Sequence, residues 1–294
     1  MRQVIFNKNT LFIKSTSQFH ALFLTSKAKE SPIKTQGFLY NWRHLTGKSP
    51  QQNPTMMTVI SERLQAAQTN IAQAVSMREN RNIVNNTGAV TLLAVSKAQT
   101  ADSLRAAFHA GQTAFGENYL QEALNKQTEL ADLKIDWHFI GPIQSNKTQP
   151  IAQHFSWVHG VDRLKIAQRL SDARPTDVPP LQICLQVNIS GEDSKSGVQP
   201  NELADLAKAV KLLPRLHLRG LMTIPEPTED INLQRQRFQQ MRGLLENLNQ
   251  AGYALDTLSM GMSSDYLLAI AEGATMVRIG SAIFGARPAK QPLE

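Results

Sequence analysis

Leu92-Leu93-Ala94-Val95-Ser96-Lys97-Ala98-Gln99-Thr100 is the stretch that decides the fold. Residues 92–95 are an apolar run that reads as a strand, and a helical pattern over 101–110 begins directly after the polar turn. A strand feeding a helix through a short turn opens a parallel α/β arrangement. Two architectures share that opening. A doubly wound open sheet expects a glycine-rich dinucleotide turn after its first strand. The turn 96–100 contains no glycine. The expected fold is therefore the other α/β architecture, a closed (β/α)8 TIM barrel.

The rest of the chain repeats the same alternation. Short apolar runs fall at 91–96, 113–116, 136–141, 155–160, 181–189, 217–224, 257–261 and 275–280. Helical patterns lie between or after them, at 101–110, 118–130, 147–153, 163–173, 201–212, 233–249 and 264–272. Eight βα units over about 200 residues match the lower size limit of such a barrel. Ahead of the first strand, Val59, Ile60, Leu64, Ala67, Ile71, Ala74 and Val75 recur at helical spacing, so an extra amphipathic helix is expected over 58–80. Asn85-Asn86-Thr87-Gly88 reads as a loop after it.

Composition narrows the class. With 41% hydrophobic and 19% charged residues, the 294-residue chain is of ordinary globular type, long enough for a sizeable core. No run approaches the ~18 apolar residues of a membrane span. The net charge of +7 suggests nucleic acid until it is located. Residues 1–55 hold eight Lys and Arg against Glu30 alone. Subtracting these from the totals of 31 basic and 24 acidic residues leaves 23 of each in 56–294. The barrel portion is thus electrically balanced, and no nucleic-acid partner is expected. The single cysteine, Cys184, sits in an apolar run and reads as a small buried hydrophobe in a reducing compartment, here taken as the cytoplasm. The basic tail 1–55 has three readings: an organellar transit peptide, a disordered arm, or sequence annexed by a wrong start. The third is favoured because Met56-Met57 stands directly before the first clear helix.

Two ends of the chain carry candidate chemistry. Lys97 closes the first strand, at the rim where active sites of these barrels form. A lone lysine there usually just caps a strand in solvent. At an apolar barrel mouth, however, its amine loses a proton more readily and can attack a carbonyl. An anionic anchor to match it lies in Met260-Gly261-Met262-Ser263-Ser264-Asp265 and in Arg278-Ile279-Gly280-Ser281-Ala282-Ile283-Phe284-Gly285, after strands seven and eight. Loops in these positions are the habitual phosphate site of the fold. Each supplies glycine, a serine hydroxyl and backbone N–H groups at a helix start. Helix capping by Ser263 and Ser281 is the plainer alternative. Arg278 lies in an apolar strand and needs a partner: a barrel carboxylate, or a ring nitrogen of a ligand that it would keep unprotonated.

Other residues carry less. His138 reads as lining a pocket or filling the core rather than as a general base. His154 and His159 have no partner at metal-ligand spacing, so no metal site is expected. Asp193-Ser194-Lys195-Ser196-Gly197 reads as a polar rim loop in which Lys195 either guides anions or is simply solvated. Trp137, Phe155 and Trp157 read as packing residues.

Seven blocks together resemble one family. They are LLAVSK at 92–97, FGENY at 115–119, HFIGPIQSNK at 138–147, QVNISGEDSKSG at 186–197, GLMTI at 220–224, LSMGMSSD at 258–265 and VRIGSAIFG at 277–285. In this order they are similar to the YggS/PROSC family of pyridoxal phosphate homeostasis proteins, whose fold is like the N-terminal barrel of alanine racemase. The resemblance covers about residues 58–288. It implies pyridoxal 5′-phosphate (PLP) as cofactor, joined to Lys97 as a Schiff base. It implies Ser263, Gly280 and Ser281 at the phosphate and Arg278 at the pyridine nitrogen. Asn118, His138, Asn188 and Met222 would line the pocket. Position 281 is often threonine in that family; serine keeps the hydroxyl.

The resemblance leaves two functional classes. One is a PLP carrier, monomeric or weakly dimeric, that serves PLP homeostasis and hands the cofactor to apo PLP-dependent enzymes. The other is an amino-acid racemase. A racemase of the alanine racemase type takes its second acid/base from an added β domain. Only six residues follow Pro288, so the expectation is that this domain is missing. An arginine at the ring nitrogen also makes PLP a poorer electron sink. A sugar-phosphate aldolase using Lys97 would fit the last two strands but not the whole set of blocks.

Overall fold

The computed structural model describes residues 55–79, 89–192 and 196–286. The readings of the tail, of Asn85-Asn86-Thr87-Gly88 and of Lys195 fall outside these described residues.

The first element is helix α1, Met56–Glu79. Strands and helices then alternate: β1 Thr91–Val95, α2 Ala101–His109, β2 Ala114–Glu117, α3 Leu120–Glu129, β3 Asp136–Phe139, a 3-10 turn Ser145–Lys147, α4 Thr148–His154 and β4 Trp157–Val161. After these come α5 Leu164–Ala173, β5 Leu181–Gln186, α6 Leu203–Lys211, β6 Leu216–Met222, α7 Ile231–Gln250, β7 Thr257–Met262, α8 Tyr266–Ala271, β8 Met276–Ile279 and the short α9 Ser281–Phe284. All strand pairs are parallel, and the sheet closes because β1 pairs with β8, Leu93 opposite Arg278. The (β/α)8 barrel with an extra N-terminal helix is therefore the observed fold.

Two apolar regions hold it. Between sheet and helices, Leu104, Phe115, Ile151, Ile166, Leu181 and Phe238 are fully buried. Each such side chain contributes roughly 1.5–3 kcal/mol. A second, smaller cluster of Leu93, Ala114, Ile140 and Met276, with Val95 against it, comes from strands β8, β1 and β2 and the residue after β3. Helix α1 buries Ile60, Leu64, Ala67 and Ile71 at helical spacing and packs across α2, α8 and α9. Near its end, Arg78 Nη1 donates to the Ala274 carbonyl at 2.8 Å, tying the helix to the turn before β8. Cys184 is buried on β5, and burial pushes its thiol up to about 12. Among the described residues no helix is long and apolar enough to cross a membrane.

Element boundaries shift where side chains intervene. Helix α7 starts at Ile231, two residues earlier than the apolar pattern, because the Asp230 carboxylate accepts from the N–H groups of Asn232 and Leu233. Helix α8 starts only at Tyr266, because Asp265 Oδ1 accepts from Met262 N–H at 2.6 Å and folds 262–265 into a turn. Helix α3 starts at Leu120, which leaves Asn118 on the strand end.

Candidate functional site

Parallel strands put all their C-terminal ends at one rim, and there the two ends of the chain meet. A cavity of about 160 Å³ is lined by Lys97, Asn118, Ser263, Arg278, Gly280 and Ser281, with Val95, Ile140, Ile224 and Met262 among its apolar wall. Six of the nine residues marked in the sequence share this wall. His138, Asn188 and Met222 do not. Asn188 is turned into its own loop, where its amide donates to the Glu192 carbonyl at 2.7 Å. Met222 is fully buried at the end of β6. His138 belongs to a hydrogen-bonded chain described below.

The turn that presents Lys97 is fixed on both sides. Ser96 Oγ donates to Glu117 Oε1 at 2.6 Å, and the Ser96 carbonyl accepts from Lys126 Nζ at 2.7 Å. On the other flank, Ala98 N–H donates to Glu122 Oε1 at 2.6 Å. Lys126 joins the two acids, 2.7 Å from Glu117 and 2.5 Å from Glu122. Ala98 has a φ of +59°, a left-handed conformation costly for a residue with a Cβ. The ionic cluster holds it there, so Lys97 is placed by its neighbours' bonds. Burial pushes the Glu117 carboxyl above its usual range, with Lys126 and Ser96 pulling the other way.

Opposite Lys97 the loops after β7 and β8 converge. Ser263 Oγ accepts from Gly280 N–H at 3.4 Å and lies 3.5 Å from Ser281 Oγ. Neither serine caps a helix: the residues before α8 and α9 are Asp265 and Gly280, without side-chain caps. Capping, the plainer reading, is therefore not their use. Gly261 adopts a φ of +92°, and a Cβ there would meet the Ala269 methyl at 2.6 Å. At Gly280 a Cβ would press on the Val95 carbonyl at 3.1 Å, across the β1–β8 seam.

Arg278 is 4% exposed, and its partners correct one expectation. Instead of a carboxylate it meets uncharged oxygens. Nη1 donates to the Ser259 carbonyl at 2.6 Å and to Ser259 Oγ at 2.8 Å, and Nη2 donates to the Thr223 carbonyl at 2.8 Å. Burial lowers its pKa to about 10, so the guanidinium stays charged at neutral pH. From Ser259 the bonding continues inward. Ser259 Oγ is 2.9 Å from His159 Nδ1, His159 Nε2 is 3.0 Å from His138 Nδ1, and His138 Nε2 is 3.2 Å from Asp136 Oδ2.

The donor set suits a small aldehyde that carries phosphate. Two hydroxyls, a close glycine and the lysine share the wall of one cavity. Asn118 Oδ1 is buried without a hydrogen-bond partner, an acceptor left for a bound molecule. Among the described residues no group of His, Cys, Asp and Glu is placed to hold a metal ion.

Sequence reading missed Glu117, Glu122, Lys126 and Ser259. One signal was available: Ala123 and Lys126 are the buried residues of α3, three apart, so a lysine occupies the apolar stripe.

The barrel with a lysine just after β1 and serine-bearing loops after β7 and β8 has known relatives. The family described as alanine racemase, N-terminal domain, matches residues 72–288. The pyridoxal phosphate homeostasis protein of Pseudomonas aeruginosa is 65% identical over 198 residues, 67% of this chain and 85% of that protein. Its counterpart from Pasteurella multocida is 52% identical over 232 residues, 78% of this chain and 97% of that one. The solved structure of PipY from Synechococcus elongatus, with PLP bound, is 36% identical with a TM-score of 0.62, covering 73% of this chain and all of that one. This chain belongs to the family of pyridoxal phosphate homeostasis proteins.

Proposed function

We propose that the chain is a PLP-binding protein of PLP homeostasis, and that the rim cavity is where the cofactor sits. The observation that carries the reading is that one wall brings together Lys97, the paired Ser263 and Ser281 hydroxyls and the unpartnered Asn118 oxygen. PLP supplies an aldehyde and a phosphate. The Lys97 nitrogen bonds the aldehyde carbon, and the aldehyde oxygen leaves as water. Ser263, Gly280 and Ser281 take the phosphate, to which each charge-assisted hydrogen bond contributes roughly 1.5–3 kcal/mol. Arg278 faces the ring nitrogen. As a permanent donor it keeps that nitrogen unprotonated.

Holding and transfer to apo PLP-dependent enzymes, in the cytoplasm, fit this arrangement better than turnover does. The purified chain mixed with PLP should show a band near the visible edge that survives gel filtration and is lost on borohydride reduction. A chain that takes up no PLP would overturn the reading. Holo-protein should activate an apo PLP enzyme and racemise single-enantiomer amino acids slowly or not at all. Racemisation at ~1 s⁻¹ or faster, the lower end of ordinary enzyme turnover, abolished by Lys97→Ala, would favour the enzyme reading instead.

A further inference from the structure

The chain of bonds behind Arg278 is not needed to fill the barrel. On β8, β1 and β2 and just after β3, the cluster of Leu93, Ala114, Ile140 and Met276 fills space with apolar groups alone. Side chains of β3, β4, β7 and β8 form a continuous polar path instead, from Asp136 at the first residue of β3 to Arg278 at the cavity. His138 and His159 are 1% and 0% exposed, and Ser259 is fully buried. Asp136 is 44% exposed at its side chain, so the path leads from the strand-start end of the barrel to the rim cavity at the other.

One direction of donation along this path satisfies both of its ends. Arginine only donates, and a carboxylate only accepts. Arg278 Nη1 therefore donates to Ser259 Oγ, whose hydroxyl hydrogen is free to go to His159 Nδ1. His159 then carries its hydrogen on Nε2 and donates to His138 Nδ1. His138 in turn carries its hydrogen on Nε2 and donates to Asp136. In this arrangement each imidazole has one defined tautomer, and each ring hydrogen has an acceptor. Burial, above all, holds His159 neutral, its pKa well below the usual range. Trp157 lies flat on the His138 ring, 5.3 Å away at 6°, and restrains it from turning. Hydrogen bonds aligned in one direction polarise one another.

We propose that Asp136, His138, His159 and Ser259 are positioning residues for the cofactor: one unidirectional hydrogen-bond chain that aims and polarises Arg278 at the PLP ring. This rests on the reading that the cavity holds PLP with Arg278 beside the ring nitrogen. Breaking the chain in the middle alters the bound cofactor's electronic environment from a distance. Restoring the direction of donation restores it, even without an imidazole. Glutamine at 159 does this, since its carbonyl accepts from Ser259 while its amide donates to His138.

The test is a PLP titration followed by absorption, with thermal melts of the apo-proteins, on the full-length chain and on His159→Leu, His159→Gln and Ser259→Ala. His159→Leu and Ser259→Ala should each shift the absorption maximum and weaken affinity about three- to tenfold, the equivalent of one buried hydrogen bond. His159→Gln should stay within about twofold of the parent with its spectrum unchanged, on the same scale. Ser259→Ala removes one oxygen and keeps the backbone bond to Arg278, so it carries the test where His159→Leu does not fold. A lowered melting temperature with parental spectrum and affinity would reduce the chain to a structural role and overturn the proposal. A parent chain that takes up no PLP sinks the cofactor reading, and this inference with it. A parent that binds while folded Ser259→Ala and His159→Leu match it sinks the inference alone.

Discussion

Two buried polar assemblies serve the cavity, and they are built on opposite principles. Behind β1 and β2, Glu117, Lys126 and Glu122 form a compact ionic cluster that fixes the backbone on both sides of Lys97. Across the barrel, Asp136, His138, His159 and Ser259 form an extended path with two imidazoles at its centre, ending on the Arg278 side chain. Their acids respond differently. Glu117 is pushed above the usual carboxylate range, chiefly by burial. At Asp136 burial pushes the same way, but hydrogen bonds from His138 and Ser156 outweigh it and the carboxyl is lowered. Charges gathered in one place hold a strained turn but must be complete, because a buried ion that loses its partner is costly. A neutral path tolerates change better and transmits polarity further.

The comparison can be broken most completely at Lys97. Lys97→Ala leaves the ionic cluster holding a turn with no amine to present. The band lost on borohydride reduction should be absent, while weaker PLP binding persists through Arg278 and the serines. A Lys97→Ala chain that still shows the band would mean another amine carries the aldehyde.

Next in size is Lys126→Met, which leaves Glu117 buried and uncompensated. Stability in urea should fall by about 3–5 kcal/mol, and a loss under about 1 kcal/mol would show that the cluster does not depend on Lys126.

The neutral path predicts a pH effect instead. An unfolded histidine takes up a proton near its model value of 6.5, and buried His159 does not. The stability this histidine supports is present above that pH and lost as pH falls through it, at about 1.4 kcal/mol per pH unit for one proton. Glu117 works in the other direction, since the cost of its buried charge is relieved as pH falls through its raised pKa. Denaturation at pH 7.5, 6.5 and 5.5 should therefore give a flatter dependence for His159→Gln than for the parent, and parallel curves would contradict it.

Smallest of all is Asp136→Asn. The amide oxygen still accepts from His138, and the half-exposed carboxylate is screened, so at neutral pH the loss should stay under about 1 kcal/mol.

The barrel was legible because its signal is repetitive: eight apolar runs alternating with helical patterns need no tertiary knowledge. The rim residues were legible for a related reason, since the ends of strands one, seven and eight are adjacent in any closed barrel. What stayed hidden depends on contacts between residues far apart in the chain. His159 alone, in a strand, says only that no metal-ligand partner stands near it in sequence; closure of the barrel brings Ser259, a hundred residues on, to its ring nitrogen. Glu117 and Lys126 likewise meet only when α3 packs on β2. Arg278 was seen to need a partner, but backbone carbonyls leave no trace in sequence, and two of its three oxygens are of that kind.

The seam between β1 and β8, with Ala94 opposite Ile279, has a temporal side. While the chain is being made, Lys97 emerges long before Ser263, Gly280 and Ser281 exist. No incomplete chain can offer Lys97 together with the serines of the last two loops. Pairings of such high sequence separation form late and slowly. A molecule gripped on both sides of the seam binds only the closed barrel, and by mass action it opposes reopening in proportion to its affinity. The same grip makes loading a report that synthesis and closure are finished.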